Sequence, residues 1–276
     1  MTRGMFSDMF CSLSFVKACA LGNDFVIVWG QDIPKQKSLS ILSQKLAHRK
    51  WGIGCDQVIY VYPTDYKSIF EVRFFNADGS EAEACGNGSR CVAKMLIDQY
   101  ELQDVILKTK AGRIKALILN DGTISMALPK PVSVQSLDLQ LAEKFAIISS
   151  VFVDVGNPHL VCFVDDIGVY ELWGPILETY LYEMDSSLPQ KVNVGFAKII
   201  NKTEINLNVW ERGAGFTQAC GTGACAAVAA AQMLGFVDLR VNVQQKGGTL
   251  IISLNSDHLL LEGEAYLIYR GDFAVH

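Results

Sequence analysis

The sequence predicts an α/β (α+β) fold of two pseudo-symmetric halves, each a barrel-like sheet wrapped around a central helix. A repeated motif is the first observation, because residues 83–91 and 217–225 both contain Ala-Cys-Gly-x-Gly and both run into helix-forming residues. The glycines of each copy allow a tight turn and a close approach of the backbone. Each copy therefore places one cysteine, Cys85 or Cys220, at the N-terminus of a helix.

A constant spacing between polar loop residues is the second observation. Four pairs lie 134–136 residues apart: Asn23 and Asn157, Gln57 and Asn193, Asn76 and Glu211, and Cys85 and Cys220. This period is much longer than a solenoid repeat, so it indicates a duplicated unit of about half the chain. A pseudo-twofold axis would bring the two motif helices face to face at their N-termini, with an active site in the cleft between the halves.

Strand patterns predominate in both halves, and turn residues separate them. In the first half we expect strands at 15–29 (a hairpin turning at 21–24), 58–62, 70–75, 104–110, 113–119 and 123–128, with helices at 38–50 and 92–100. In the second half we expect strands at 149–154, 160–164, 192–196, 205–210, 241–244, 249–254 and 259–269, with helices at 174–182 and from the second motif to Leu234. Ser38 is the expected N-cap of the helix at 38–50. Pro129 and Pro131 suit a connector between the halves.

The composition is that of a globular protein, with 276 residues of which 50% are hydrophobic and 19% are charged. A net charge of −5 without a basic cluster argues against nucleic acid as a partner, so the substrate should be small. No apolar run approaches the length of a membrane span, and no membrane partner is expected. Residues 1–10 are interpreted as a short extension instead of a signal peptide, which predicts a cytoplasmic protein.

Eight cysteines are spread through the chain without the spacing of a metal site. Cys85 and Cys91 are six residues apart, and Cys220 and Cys225 are five apart, so neither pair lies on one helix face. We therefore expect no metal. The cysteines outside the two key positions are predicted to be small buried residues: Cys11, Cys19, Cys55, Cys91, Cys162 and Cys225.

A cysteine at each of two opposed helix ends suggests acid–base chemistry at carbon. The free N–H groups of a helix N-terminus can hold a carboxylate and are expected to lower the pKa of a thiol. A thiolate on one side of the adjacent carbon can remove a proton while a thiol on the other side returns one. Such a reaction needs neither a metal nor a pyridoxal cofactor.

Seven segments together resemble the diaminopimelate epimerase family. They read LGNDF at 21–25, GIGCDQ at 52–57, NADGSE at 76–81, CGNGSRC at 85–91, GNPH at 156–159, ERGAG at 211–215 and ACGTG at 219–223. The resemblance extends from about Val16 to the C-terminus and implies cofactor-independent interconversion of LL- and meso-diaminopimelate, for lysine and peptidoglycan biosynthesis. It also implies a homodimer, and two domains at 1–128 with 264–276 and at 129–263, because the last strand of this family returns to the first half.

The resemblance also assigns roles to individual residues. Cys85 and Cys220 correspond to the two bases, and His159 and Glu211 to residues that tune the thiols or accept protons beside them. The substrate-binding positions are Asn23, Gln57, Asn76, Gly86, Asn87, Asn157, Asn193, Glu211, Arg212, Gly221 and Thr222. Arg212 suits a bidentate bond to the distal carboxylate of the substrate.

Three positions depart from the family pattern. Cys19-Ala20 stands where His-Gly is usual, Cys55 where Ala or Phe is common, and Phe216 where a glutamate commonly follows the Gly-Ala-Gly turn. Loss of that carboxylate suggests relaxed selectivity, so that glutamate is racemised as well. The alternatives to a diaminopimelate epimerase are a proline or hydroxyproline racemase, a non-catalytic amino-acid-binding module and a zinc-stabilised structural protein.

Overall fold

The computed structural model describes residues 11–33, 38–139, 145–186, 188–256 and 258–275. The chain divides into two compact units, Met1–Ile124 with Glu264–His276 and Ser125–Gly263. The expected N-terminal extension at 1–10 lies outside the described residues, as does the side chain of Cys11.

The first unit is a sheet with two helices. Its elements are β1 (Cys11–Ala20), β2 (Asn23–Trp29), α1 (Leu39–Ala47), β3 (Gln57–Pro63), β4 (Ile69–Asn76), β5 (Glu81–Ala82), α2 (Gly86–Tyr100), β6 (Asp104–Thr109) and β7 (Gly112–Ile118). Strand pairing runs β1-β2-β3-β4-β6-β7, with β2–β3 and β4–β6 parallel and the other pairs antiparallel. Helix α2 contacts β1 and also β7 at the far edge, so the sheet curves around it.

The second unit repeats this plan. Its elements are β8 (Ile124–Leu128), β9 (Ser133–Leu137), β10 (Ile147–Asp154), β11 (Pro158–Val164), α3 (Tyr170–Met184), β12 (Asn193–Asn201), β13 (Glu204–Glu211), β14 (Gly215–Phe216), α4 (Gly221–Met233), β15 (Arg240–Gln245), β16 (Gly248–Leu254) and β17 (Leu259–Gly263). Pairing runs β9-β10-β11-β12-β13-β15-β16-β17, again with the β11–β12 and β13–β15 pairs parallel. Helix α4 contacts strands from β9 to β17.

The two central helices are held by close packing. In α4 the residues from Gly223 to Ala231 are all buried, and alanines let the strands approach the helix on every side. In α2 a Cβ on Gly88 would come within 2.8 Å of Ile59 Cδ1. Glycine is therefore required there by space as well as by the turn that precedes the helix. The mixed α/β fold with one central helix in each of two repeated units is confirmed.

The first hairpin forms as predicted, and its turn has a local cause. Leu21 and Gly22 both have positive φ, 52° and 83°. Two consecutive residues of this kind make the tight turn whose twist matches two antiparallel strands. The turn places Asn23 at the first position of β2.

Four details differ from the sequence prediction. Ser38 occupies the N-cap of α1, but its side chain makes no capping hydrogen bond. Helix α3 extends over Tyr170–Met184 and includes Pro175 in its interior. Cys19 is only partly buried, whereas Cys55, Cys91, Cys162 and Cys225 are buried.

The fourth difference concerns the last apolar stretch, predicted as one strand at 259–269. It forms two strands, β17 and β18 (Tyr266–Val275), because it has two pairing partners. Strand β17 pairs with β16, and β18 pairs with β1 of the first unit. Within the described part of the chain, none of the helices combines the length and apolar character needed to cross a membrane.

Candidate active site

Cys85 is the N-cap of α2. Its backbone is extended (φ −144°, ψ 115°), and its Sγ accepts a hydrogen bond from the N–H of Gly88 at 3.4 Å. The N–H of Ser89 makes the first intrahelical bond, to the Cys85 carbonyl. The N–H groups of Gly86 and Asn87 consequently have no partner inside the helix, and such groups can bind a carboxylate.

Polar side chains of the first unit form a chain of hydrogen bonds beside this helix end. Arg90, which is fully buried, donates to Asn87 Oδ1 at 2.7 Å, and Asn87 donates to Asn23 Oδ1 at 2.7 Å. Asn23 in turn donates to Asp56 at 3.2 Å. The orientation of both asparagine amides is thereby determined by their neighbours.

Gln57 and Asn76 face each other across paired strands. They are partners in the β3–β4 register, and Gln57 Nε2 donates to Asn76 Oδ1 at 2.8 Å. Gln57 Oε1 is buried and has no hydrogen-bond partner among the described residues. The pair thus offers a free acceptor.

A charged cluster anchors the loops that carry Asn23 and Gln57. Asp24 accepts from Lys17 at 2.6 Å and from Arg49 at 2.8 Å, and Arg49 also contacts Asp56 at 2.7 Å. Burial alone would raise the pKa of Asp24, but the hydrogen bonds from Arg49 and Lys17 outweigh it and lower the pKa well below its usual range.

Cys220 is the N-cap of α4 and has the same local geometry as Cys85. Its backbone is extended (φ −123°, ψ 112°), and its Sγ accepts from the N–H of Gly223 at 3.3 Å. Thr222 Oγ1 lies 3.5 Å from the sulfur. Here too the first two N–H groups of the helix, those of Gly221 and Thr222, have no intrahelical partner.

Glu211 is the acidic neighbour of Cys220. The carboxylate accepts a hydrogen bond from Thr217 Oγ1. Burial raises the pKa of Glu211, and the Thr217 hydroxyl and the nearby Cys220 thiol only partly offset that effect.

The pKa of the Cys220 thiol is raised, first by burial and second by the negative charge of Glu211. Hydrogen bonds from Thr222 and Gly223 act in the opposite direction and are outweighed. The helix end therefore lowers the thiol pKa as predicted, but the net pKa of Cys220 is raised. The residue is 5% exposed, so the thiolate would lose nearly all hydration.

His159 is fully buried in the same unit. Its Nε2 lies 3.1 Å from Thr222 Oγ1 and 3.2 Å from Asn157 Oδ1. Burial, with a smaller contribution from the positive charge of Arg212, lowers the pKa of His159 to about 3. The imidazole is consequently neutral at physiological pH.

Asn193 connects His159 to Arg212. It pairs with His159 in the parallel β11–β12 register, and its Oδ1 accepts from the backbone N–H of Arg212 at 2.9 Å. Within the described part of the chain, the Arg212 guanidinium is exposed and has no hydrogen bond or ion pair. It is therefore available to bind an anionic group.

The structure brings the predicted residues together within each unit. In the first unit they are Asn23, Gln57, Asn76, Cys85, Gly86 and Asn87, and in the second they are Asn157, His159, Asn193, Glu211, Arg212, Cys220, Gly221 and Thr222. The surroundings differ chemically. At the positions equivalent to His159 and Glu211 the first unit has Phe25 and Asn76, neither of which titrates.

Among the residues hydrogen-bonded to Glu211 or Cys220, two are absent from the sequence prediction. Thr217 donates to Glu211, and because it lies in the repeated segment 217–225 the sequence offered a way to find it. Gln245 accepts from the backbone N–H of Cys220 at 2.8 Å and is 25 residues away in sequence, where no local pattern indicates it. Among the described residues, no group of three or more His, Cys, Asp or Glu side chains has the arrangement of a metal site.

Comparison with known proteins assigns the family. The family model described as diaminopimelate epimerase matches residues 15–133 and 151–268. A diaminopimelate epimerase of Carboxydothermus hydrogenoformans is 35% identical, with 95% of this chain and 99% of the relative covered. One of Erythrobacter litoralis is 38% identical, with coverage of 95% and 97%.

Solved structures share the fold at low sequence identity. A phenazine biosynthesis protein of the PhzF family from Bacillus anthracis has a TM-score of 0.73 at 15% identity, covering 96% of this chain and 99% of that one. A hydroxyproline epimerase from Agrobacterium vitis, with bound trans-4-hydroxy-L-proline, has a TM-score of 0.67 at 16% identity, covering 96% and 93%. Since the family model spans most of both repeats and full-length relatives exceed 30% identity, this chain belongs to the diaminopimelate epimerase family.

Proposed function

We propose that this protein is an isomerase that interconverts LL- and meso-diaminopimelate without a cofactor, as a step of lysine and peptidoglycan biosynthesis. The observation that carries the proposal is the pair of cysteine N-caps. Cys85 and Cys220 have matching backbone angles and matching Sγ contacts at the start of the central helix of each unit. Such symmetry suits a reaction in which one hydrogen leaves one side of a carbon and another arrives on the opposite side.

The reaction proceeds by proton transfer between sulfur and the α-carbon. A thiolate takes the α-proton, the electron pair of the C–H bond moves toward the carboxylate, and a thiol returns a proton to the other face. N–H groups of Gly86, Asn87, Gly221 and Thr222 stabilise the charge that develops on the carboxylate. One acid–base pair contributes about 10²–10⁴-fold, so this stabilisation must supply a large share of the rate enhancement.

Cys220 is the proposed acid in the unliganded protein. Its raised pKa supports a protonated thiol, and the negative charge of Glu211 nearby favours that form. When the reaction runs in the reverse direction Cys220 must lose that proton, and Glu211 and His159 are then placed to tune or accept it. The low pKa of His159 makes it a neutral hydrogen-bonding group in this arrangement.

We assign substrate recognition to the side-chain amides of Asn and Gln residues and to the guanidinium of Arg212. The Arg212 guanidinium would hold the distal carboxylate in a bidentate bond. The free Gln57 Oε1 suits an ammonium group, since a buried acceptor without a partner gains most from a charged donor. Asn23, Asn76, Asn157 and Asn193 complete the proposed substrate contacts.

The arrangement of the whole protein is part of the proposal. The functional domains would be residues 1–128 with 264–276 and residues 129–263, and the enzyme would be a cytoplasmic homodimer. Pairing of β18 with β1 supports the assignment of residues 264–276 to the first domain. Assembly as a homodimer rests on the family resemblance.

Racemisation of glutamate is the second candidate activity, and Phe216 favours it. Its ring is half-buried in place of the carboxylate common in the family, and Lys246 Nζ lies 4.3 Å above the ring centroid. This part of the unit therefore carries a positive charge where a negative one would be usual. Proline or hydroxyproline racemisation is the less favoured alternative, because those substrates have no distal carboxylate for Arg212.

Proton NMR of LL-diaminopimelate in D₂O, with reductant and without metal or pyridoxal, tests the proposal. We expect the α-proton signal to fall and the meso isomer to form. Cys85→Ala and Cys220→Ala should each abolish epimerisation, whereas Cys91→Ala and Cys225→Ala, at buried positions in the same helices, should keep it. Retention of every α-proton by the wild-type enzyme would refute the proposed function.

A further inference from the structure

The turn between β15 and β16 contacts the segment that leads into Cys220 at three points. Gln245 Oε1 accepts from the backbone N–H of Cys220 at 2.8 Å, and the N–H of Gly247 donates to the Gln218 carbonyl at 2.7 Å. The third contact is that of Lys246 over the ring of Phe216. Each residue from 245 to 247 thus contacts one residue of the segment 216–220.

The N–H of Cys220 needs a partner from outside its helix. As the N-cap residue, Cys220 precedes the intrahelical hydrogen bonds, the first of which runs from Ala224 to the Cys220 carbonyl. The residue is 5% exposed, so an unpaired N–H would be buried away from water. Gln245 supplies the acceptor.

Strand pairing and burial hold Gln245 in place. It is the last residue of β15 and pairs with Gly248 in the antiparallel register with β16. Its side chain is buried, at 5% exposure. An acceptor held in this way can define where the Cys220 backbone lies, and the backbone fixes the position of Cβ, from which Sγ extends.

The nitrogen of the Gln245 side-chain amide is buried at a cost in free energy. Its Nε2 is buried and has no hydrogen-bond partner in the described part of the chain. An apolar side chain of similar length would avoid this cost but would leave the Cys220 N–H unpaired. The amide is therefore explained by its bond to Cys220 and not by its own burial.

The first unit repeats part of this arrangement with a different residue. Thr109 is the last residue of β6 and pairs with Gly112, as Gln245 pairs with Gly248. The N–H of Ala111 donates to the Glu83 carbonyl, as that of Gly247 donates to the Gln218 carbonyl. The Thr109 hydroxyl donates to the Gly112 carbonyl, so the side-chain amide at this place in the fold is a feature of the second unit.

We propose that Gln245 is a positioning residue for Cys220. By holding the Cys220 N–H, it keeps Sγ 3.3 Å from the Gly223 N–H and 3.5 Å from Thr222 Oγ1. Gln245 acts through Cys220 and not on the substrate. Its effect on turnover rests on the proposed function, whereas its effect on the thiol does not.

The test compares Gln245→Met with Gln244→Met. Methionine keeps the length of the side chain and removes the acceptor, and Gln244 is the exposed neighbour on the same strand. The rate of Cys220 alkylation by iodoacetamide is measured by peptide mass spectrometry, with Cys85 as the internal reference. We expect Gln245→Met to increase alkylation of Cys220 about tenfold relative to Cys85, which corresponds to about 1.4 kcal/mol, and Gln244→Met to leave the ratio unchanged.

Epimerisation kinetics provide the second readout. We expect Gln245→Met to lower kcat by about tenfold or more with little change in KM, because positioning of a thiol affects the proton transfer. A fall in thermal stability with an unchanged alkylation ratio would mean a merely structural role and would overturn the inference. If the wild-type protein epimerises nothing, the proposed function fails, and alkylation still decides the role of Gln245.

Amide exchange tests the wild-type protein directly if Gln245→Met does not fold. The backbone amide of Cys220 should exchange as slowly as that of Val243 in β15, since both are buried and hydrogen-bonded. Exchange at the rate of an exposed loop would overturn the inference.

Discussion

Replacing Glu211 by glutamine should make Cys220 more acidic. The negative charge of the Glu211 carboxylate is the second cause of the raised thiol pKa. Glutamine retains the size of the side chain and removes the charge. Burial, the first cause, is unchanged by the substitution.

The size of the effect follows from the lost interaction. A charged neighbour shifts the pKa of a group by about one unit or more, and one unit corresponds to about 1.36 kcal/mol. Glu211→Gln should therefore lower the pKa of the Cys220 thiol by about 1–2 units. Epimerisation should fall by about 10²–10⁴-fold if Glu211 also accepts a proton during turnover.

The pH dependence of Cys220 alkylation measures this pKa, and mass spectrometry separates Cys220 from the other cysteines. Glu204→Gln is the matched control, because it makes the same chemical change at the other end of β13, where the carboxylate contacts Asn201. We expect the Glu204 variant to have the wild-type profile. An unchanged or raised thiol pKa in Glu211→Gln would refute the electrostatic coupling between the two side chains.

Two further predictions concern pH stability and selectivity. Asp24 has a lowered pKa in the folded protein, so its ionised form stabilises the fold above the unfolded value of about 3.9, and this stabilisation is lost as the pH falls through the folded pKa. The free energy of unfolding, measured with denaturant at neutral pH and below about pH 4, should therefore change less with pH for Asp24→Asn than for the wild type. An equal change in the two proteins would contradict the assignment. Phe216→Glu should lower the rate of deuterium incorporation into glutamate relative to diaminopimelate by about tenfold, while Lys246→Met serves as the control that removes the cation and keeps the ring. If the ratio does not change, or if the wild type incorporates no deuterium into glutamate, Phe216 is not a selectivity determinant.

The local geometry of both cysteines was predictable from the sequence. Glycines after Cys85 and Cys220 permit the turn, and the residues that follow favour a helix, so both N-caps form from interactions within about four residues. The duplication was predictable for a different reason. A repeated unit keeps its spacing in the chain, and the matching strand pairs of the two units bear out that reading.

Strand boundaries near the end of the chain depended on tertiary pairing. Residues 259–269 form one apolar run in the sequence, and nothing within it indicates that β17 pairs with β16 while β18 pairs with β1. Periodicity reports which residues favour a strand, but the partner of each strand is chosen by packing of the whole unit.

The acidity of Cys220 likewise depends on tertiary contacts. The local sequence shows only that this thiol stands at a helix N-terminus, whose N–H groups lower its pKa. Folding then buries the residue, brings the Glu211 carboxylate to the sulfur and places Gln245, 25 residues away, on its backbone N–H. Loss of hydration and a nearby negative charge act through space on the thiolate, and they outweigh the nearby N–H groups that the local sequence provides.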